Sequence, residues 1–298
     1  MAPSLTLFFV VEPPTYQYLS CYLAASIRQH LDPGITLVGY CPAHRMDELD
    51  PAAVETLRRM GCEVRPMQTE GVFDPPYPHG NKIIACQQPR ETAWAGFMDS
   101  DILVLQPHDI GRLLRPGHVT CSAAASILWK PDDLWETVYG AFGLPVPEER
   151  ITLMRDRRRP MVPYFSSGFV MFPEDSGFPS AWMETAQALD RVEKLEPFRR
   201  PYLDQMSLPV AIRRAGLGWN ELKENDHFIL GGRLRGKPFP RHKPITAVHY
   251  RKWEVLDEAG LAQDGYNALK AMVGVKRIRR IFDVSEPDDD IPAGAGPG

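Results

Sequence analysis

Short apolar runs alternate with helix-like segments over the first part of the chain. Leu5–Val11 is apolar except for Thr6 and predicts a central strand, and Ile35–Tyr40 predicts a second one. Between them, apolar residues recur over 19–31 at the spacing of one helix face. Another helix over 51–60 and a third strand over 62–64 continue the alternation. Such alternation predicts parallel strands with helices on both faces, and ligands bind beyond the carboxyl ends of strands in these sheets.

The rest of the chain alternates less regularly. Residues 126–162 combine two tryptophans with a basic cluster, and we interpret them as an insertion on the ligand-binding side. A strand interrupted by small polar residues follows over 163–172, with helices predicted over 180–193 and 202–215. Ile245–Tyr250 predicts the final strand. The whole pattern predicts an α/β protein with a mostly parallel central sheet flanked by helices.

Composition and charge exclude several classes of protein. The 298 residues include 44% hydrophobic and 24% charged residues, an ordinary globular composition. The net charge of −4 gives no overall attraction to nucleic acid or to an anionic membrane. The five cysteines include no Cys-x-x-Cys pair, which argues against a zinc knuckle or a disulfide framework. The sequence has neither an apolar run of transmembrane length nor the basic start of a signal peptide. We therefore expect a cytoplasmic protein.

Two carboxylates interrupt an apolar stretch in the middle of the chain. Asp99-Ser100-Asp101 separates the apolar run 94–98 from a second run that begins at Ile102. If the chain is extended here, both acidic side chains point the same way, and two like charges in an apolar setting are costly without a cation. Manganese or magnesium would satisfy them and keep positions open for phosphate oxygens. The alternative is a solvated turn.

Two further residues carry chemistry that fits such a site. His249 ends an apolar strand, where a neutral imidazole can complete a site begun by two carboxylates and favours manganese somewhat over magnesium. Its alternative is a hydrogen-bonded histidine at a strand end. Lys82 opens a helix and could place a positive charge on a diphosphate. Its alternative is a surface lysine whose stem lies along apolar surface.

Four elements, taken in order, resemble the GT-A nucleotide-sugar glycosyltransferases, especially the retaining family 8 enzymes such as glycogenin and the bacterial galactosyltransferases. The resemblance covers residues 5–253. The matching elements are Lys82, the Asp-x-Asp triplet seventeen residues later, Tyr164-Phe165-Ser166-Ser167-Gly168 and Asp204-Gln205. His249-Tyr250-Arg251-Lys252-Trp253 stands where the family has His-x-x-Gly-x-x-Lys-Pro-Trp.

The resemblance implies a role for each matching residue. Three side chains would bind the metal, namely Asp99, Asp101 and His249. The donor would be bound by Val11 and Glu12 at the base, by Asp99, Ser100 and Ser166 at the ribose or sugar, and by Lys82 and Lys252 at the diphosphate or donor sugar. Asp204 and Gln205 would lie against the reacting sugar as the catalytic residues. Two departures affect this assignment: Ser166 replaces the family's asparagine, and Lys252 follows the histidine by three residues instead of six.

The function implied is metal-dependent transfer of a sugar from a nucleotide-diphosphate sugar to an acceptor hydroxyl, with retention of configuration. We predict one domain over 1–282, with a nucleotide-binding half (5–125), an acceptor half (126–282) and a disordered tail (283–298). The basic cluster Arg155–Arg159 could bind an anionic acceptor or could be a solvated loop. Residues 275–282, basic and apolar, allow at most a peripheral contact with the inner membrane face.

Three other classes of protein share parts of this pattern. A nucleotidyltransferase usually has a glycine-rich basic loop after its first strand, whereas this chain has Glu12-Pro13-Pro14. A phosphatase of the haloacid-dehalogenase type carries Asp-x-Asp-x-Thr on an N-terminal strand, whereas the corresponding position here is Leu103. A sugar-nucleotide-binding protein without turnover would keep the same residues, and it stays open.

Overall fold

The computed structural model describes residues 4–127, 133–153, 159–230 and 238–273. Within these ranges, twelve strands and eight α-helices follow one another along the chain. They are β1 (Leu5–Val10), α1 (Tyr16–His30), β2 (Thr36–Pro42), α2 (Pro51–Arg59), β3 (Cys62–Met67), α3 (Asn81–Cys86), β4 (Trp94–Met98), β5 (Ile102–Val104), β6 (His118–Ala123), α4 (Leu134–Gly140), β7 (Ile151–Leu153), β8 (Arg159–Met161), β9 (Phe165–Pro173), α5 (Phe178–Asp190), α6 (Glu196–Arg214), β10 (Gly218–Glu221), β11 (Phe228–Ile229), β12 (Ala247–His249), α7 (Trp253–Glu258) and α8 (Ala262–Val273).

A seven-stranded sheet forms the centre of the molecule, in the order β10-β6-β9-β4-β1-β2-β3. The pairs among β4, β1, β2 and β3 are parallel, as is β10 with β6, which confirms the predicted mostly parallel sheet. β9 differs because it runs antiparallel to both β4 and β6. Its first residues therefore lie beside the carboxyl ends of these two neighbours, where ligands are expected.

A smaller sheet of β11, β12 and β5 brings a late segment of the sequence to this edge. β12 pairs antiparallel with β5, and His249 lies opposite Ile102. The backbone N–H of Tyr250 also donates to the carbonyl oxygen of Asp101, at 3.0 Å. A strand from the far end of the sequence thus reaches the Asp-x-Asp turn.

Two apolar clusters cover the two faces of the large sheet. Leu7 and Phe9 belong to the cluster with α1, α2 and α8, whereas Phe8 belongs to the cluster with α5 and α6. Because successive strand residues point to opposite faces, a strand buried on both sides must be mostly apolar. This explains the first apolar run of the sequence.

Several predicted boundaries change in the structure. The helix predicted over 180–193 covers Phe178–Asp190, and the helix predicted over 202–215 begins already at Glu196. The helix that carries Lys82 is short and ends at Cys86. The interpreted insertion contains α4 and the β7–β8 hairpin. The predictions for residues 155–158, 275–282 and 283–298 lie outside the described residues. In the part that is described, no helix has the length and apolar character needed to cross a membrane.

Candidate active site

The carboxyl ends of β1 and β4 and the start of β9 meet at one edge of the sheet. The backbone N–H of Asp99 donates to the carbonyl oxygen of Gly168, at 2.7 Å. The Ser100 hydroxyl donates to the carbonyl oxygen of Val10. Ser100 is therefore turned inward, where it ties the Asp-x-Asp turn to the end of β1 and leaves the flanking carboxylates at the edge.

Asp99, Asp101 and His249 form one cluster, in which one ligand atom from each lies within 4.8 Å of the others. His249 Nε2 is 3.1 Å from Asp101 Oδ1 and 3.8 Å from Asp99 Oδ2. Asp101 Oδ1 is buried and receives no hydrogen bond of good geometry from the described residues. Burial raises the pKa of Asp101, but His249 and Lys82 outweigh it and the net effect lowers this pKa. A carboxylate oxygen without a donor fits a divalent cation, as does the Asp/Asp/His donor set.

Gly168 leaves room for this cluster. A Cβ atom at this position would lie 2.6 Å from Asp99 Oδ2 and 2.7 Å from His249 Cε1, closer than real side chains approach. The glycine at the end of the Tyr164–Gly168 motif is therefore required by close approach of the two candidate ligands, and not by an unusual backbone angle.

Lys82 lies among the acidic side chains of the site. Its Nζ is 2.9 Å from Asp99 Oδ1, 3.3 Å from Ser167 Oγ and 3.5 Å from Asp204 Oδ2. Burial alone would lower the pKa of Lys82, but Asp99 and Asp204 overcome this effect and raise it above its ordinary value. The side chain is only 8% exposed and stays charged, so the alternative of an exposed surface lysine is wrong.

Asp204 is held by three neighbours on the inner side of the cluster. It is 1% exposed, accepts hydrogen bonds from the hydroxyls of Tyr77 and Ser167, and faces Lys82. Burial, together with the charge of Asp204, raises the pKa of Tyr77 well above its ordinary value, so the phenol remains a donor. Asp204 thus has little surface of its own to offer a substrate.

Gln205 points in a different direction on the same helix. Its Oε1 accepts hydrogen bonds from the hydroxyls of Tyr164, at 2.8 Å, and Ser126, at 3.1 Å. The Gln205 side chain belongs to a residue that is only partly buried. Two donors fix the amide plane, so that Gln205 presents a defined orientation at an open surface.

The residues predicted to face the base lie at the end of β1. Glu12 accepts hydrogen bonds from Arg45, at 2.9 Å, and from Asn81, at 3.1 Å. Val11 is fully buried, and its backbone N–H donates to the carbonyl oxygen of Tyr40. Of these two, Glu12 is the one that offers a polar side chain at the edge.

Ser166 and Lys252 differ in their relation to the cluster. Ser166 is buried at the start of β9, where it lies opposite Ser122 of β6. Lys252 is exposed at the beginning of α7, and its side chain makes no hydrogen bond or ion pair with another described residue. The structure thus assembles the other candidate residues at the edge and leaves the Lys252 side chain outside their contacts. Arg251, with φ of +63°, separates Lys252 from β12.

Three residues of the site were not predicted individually. Ser167 was quoted only as part of a motif, and Tyr77 lies in a proline-rich loop with no periodic signal. His227 precedes the two-residue strand β11, which is too short to be predicted from a pattern. Each is recognisable only from its contacts in the folded chain.

Comparison with known proteins identifies the family. Residues 7–216 match the profile of the Rhodobacterales glycosyltransferase domain. The chain belongs to this family. It is therefore a glycosyltransferase, as the resemblance implied. No relative was found among curated protein sequences.

Solved structures show that this glycosyltransferase has the predicted GT-A fold and is similar to family 8 enzymes. One is the galactosyltransferase LgtC in complex with donor and acceptor sugar analogs, with 14% identity, a TM-score of 0.58, and coverage of 92% of this chain and 99% of that chain. An active-site mutant of LgtC gives 12% identity and a TM-score of 0.53, with 87% and 95% coverage. The glycosyltransferase GlyE of Streptococcus pneumoniae TIGR4 has 14% identity and a TM-score of 0.51, and the match covers 90% of this chain and 63% of that chain.

Replacing Gly168 by alanine tests the close approach of the candidate ligands. We expect Gly168→Ala to displace Asp99 or His249 and to lower Mn²⁺ affinity by about 10-fold or more, the scale of losses when ligand placement is disturbed. Titration of Mn²⁺, with the free ion measured by electron paramagnetic resonance, gives the affinity. Gly140→Ala is the matched control, because no atom lies within 4 Å of the added Cβ. Equal affinities in the two variants would contradict the crowding argument.

Proposed function

We propose that this glycosyltransferase transfers a sugar from a nucleotide-diphosphate sugar to an acceptor hydroxyl and depends on a divalent ion, manganese or magnesium. The observation that carries the proposal is the cluster of Asp99, Asp101 and His249 next to the buried ammonium of Lys82. An inward-facing group of acids with one oxygen lacking a donor is costly unless a cation balances it. Departure of a diphosphate from the sugar creates negative charge, which the same cation can stabilise.

The three ligands would hold the ion, and its positive charge, when bound, would stabilise the departing diphosphate. Lys82 would support the same task, because its charged Nζ contacts Asp99 and would then lie beside a diphosphate bound to the ion. A polar group of Glu12, Asn81 and Arg45 lies at the neighbouring strand end. Its donors and acceptors would bind the base or the ribose. Ser166 and Ser100 would line the sugar side. Lys252 would reach the diphosphate only from its exposed position on α7.

Gln205 and Asp204 have different parts in this proposal. Gln205 is open on one side and fixed by Tyr164 and Ser126, so we assign it to the reacting face of the sugar. Asp204 is buried and hydrogen-bonded, so it acts by orienting Lys82 and Ser167. We propose retention of configuration on the resemblance to family 8. Three statements from the sequence stay predictions: an anionic acceptor, the division into two halves, and a cytoplasmic location.

Removing one metal ligand tests the proposed reaction. Nucleotide sugars are incubated with the protein with and without Mn²⁺, and release of nucleoside diphosphate is measured for slow hydrolysis or transfer. We expect Asp101→Asn to lower the metal-dependent rate by about 100-fold or more, the scale of losing one electrostatic stabiliser. Asp109→Asn is the control, because Asp109 is exposed and its Oδ1 caps a 3₁₀ turn, which asparagine can also do.

The outcomes of this experiment separate the remaining classes. Unchanged metal-dependent turnover in Asp101→Asn would overturn the assignment of the ligands. Stabilisation of the wild-type protein by nucleoside diphosphate and Mn²⁺, without product from any donor, would favour a binding protein without turnover. Synthesis of a nucleotide sugar would favour a nucleotidyltransferase.

Truncating Gln205 tests its proposed role at the reacting face of the sugar. We expect Gln205→Ala to lower kcat by about 100-fold, because a fixed polar group at the reacting sugar is lost. The Mn²⁺ affinity should stay within about twofold of wild type, since Gln205 contacts none of the three ligands. Gln263→Ala, on the exposed face of α8, is the control. A parallel loss of metal affinity and turnover, or an unchanged kcat, would show that Gln205 has no direct part in the reaction.

A further inference from the structure

A second histidine lies behind the candidate metal ligand. His227 Nε2 is 3.1 Å from His249 Nδ1, on the side of that ring that faces away from Asp99 and Asp101. The other nitrogen of the same ring, His227 Nδ1, is 2.6 Å from Ser122 Oγ. The residue is 3% exposed. Ser122, His227 and His249 therefore form a buried hydrogen-bonded row that ends at the acidic cluster.

We infer that His227 is a positioning residue that presents the Nε2 lone pair of His249 to the metal. The inference rests on the proposed metal-dependent function, and it adds a residue that lies outside the motifs shared with other glycosyltransferases. Its physical basis is the rule that a metal-binding imidazole donates from its second nitrogen to a fixed acceptor. His227 Nε2 is that acceptor here.

The hydrogen bonds of the row decide which nitrogen of His249 is free. For Nε2 to bind a cation, the single proton of the neutral ring must be on Nδ1, from which it donates to His227 Nε2. His227 then carries its own proton on Nδ1 and donates to the Ser122 hydroxyl. In this arrangement each imidazole carries one proton, and every ring nitrogen has a partner.

Without a cation, the same row can run in the opposite direction. His249 Nε2–H then faces Asp101 Oδ1 at 3.1 Å, His227 Nε2–H donates to His249 Nδ1, and the Ser122 hydroxyl donates to His227 Nδ1. The number of protons on the two rings and the hydroxyl is the same in both arrangements. The row therefore accommodates both states of the site without gaining or losing a proton.

The surroundings of His227 keep its ring in place. Its ring is within 5.2 Å of the His249 ring at an angle of 26°, and Phe169 contacts it edge-on at 5.9 Å. The preceding residue, Asp226, is buried and paired with Arg112. β11, which starts directly after His227, pairs in parallel with β12, so that Ile229 lies opposite His249. A ring held by these contacts and by both flanking segments is suited to orienting its neighbour.

Two substitutions separate the hydrogen bond from mere packing. His227→Phe keeps a ring but removes the acceptor, whereas the Oε1 of His227→Gln can still accept from His249 Nδ1–H. With Mn²⁺ alone as the probe, we expect the phenylalanine variant to bind about 10- to 100-fold more weakly than wild type. The glutamine variant should recover most of this loss. His118→Gln, at the far end of β6 where Nδ1 contacts the carbonyl oxygen of Pro116, should bind like wild type.

Electron paramagnetic resonance of free Mn²⁺ gives the affinities, and thermal melting confirms that each variant is folded. If the phenylalanine variant does not fold, Ser122→Ala replaces it, since loss of this hydroxyl removes the acceptor that keeps the His227 proton on Nδ1. That variant should also weaken Mn²⁺ binding. Wild-type affinity in His227→Phe or Ser122→Ala, or equal losses in the phenylalanine and glutamine variants, would overturn the inference alone. No Mn²⁺ binding by the wild-type protein would overturn both the metal-dependent function and this inference.

Discussion

The charge balance of one buried cluster governs the rest of the site. Among the described residues, three carboxyl groups, of Asp99, Asp101 and Asp204, lie around the ammonium group of Lys82. Counted over these four groups, the formal excess is two negative charges, three from the acids less one from the base, which matches a divalent cation. Burying unpaired charge is costly, so the surrounding hydroxyl groups and strand ends stabilise these charged side chains. An apolar core at this place would be more stable but could not bind a cation.

The reversal of β9 is what makes the cluster possible. An all-parallel sheet would bring only strand ends to this edge, whereas antiparallel β9 brings its first residues, among them Ser166, Ser167 and Gly168, beside the ends of β4 and β6. Small residues are needed there because the carboxylate of Asp99 and the ring of His249 lie within 3 Å of where a Cβ at 168 would be. Backbone topology and side-chain size therefore act together in the placement of the ligands.

The sequence allowed much of this arrangement to be predicted, because its strongest signals are local. The apolar runs, the Asp-x-Asp interruption and the histidine at a strand end each stand out without the fold, and the structure brings Asp99, Asp101, His249 and Lys82 together. Tyr77 and His227 could not be predicted, since the Tyr77–Asp204 and Ser122–His227 contacts join residues more than 100 positions apart in the sequence and depend on segments without periodicity. The compressed motif after His249 also gave no means of placing Lys252, because a change in loop length alters where an exposed side chain lies.

The central claim is that Asp99, Asp101 and His249 hold a divalent ion, and anomalous diffraction tests it most directly. Crystals soaked with Mn²⁺ and a nucleoside diphosphate would be measured on both sides of the manganese absorption edge. The account predicts one strong anomalous peak at coordination distance, about 2.0–2.2 Å, from His249 Nε2 and from an oxygen of each aspartate. A nucleotide bound at this edge without any anomalous peak between the three side chains would contradict it.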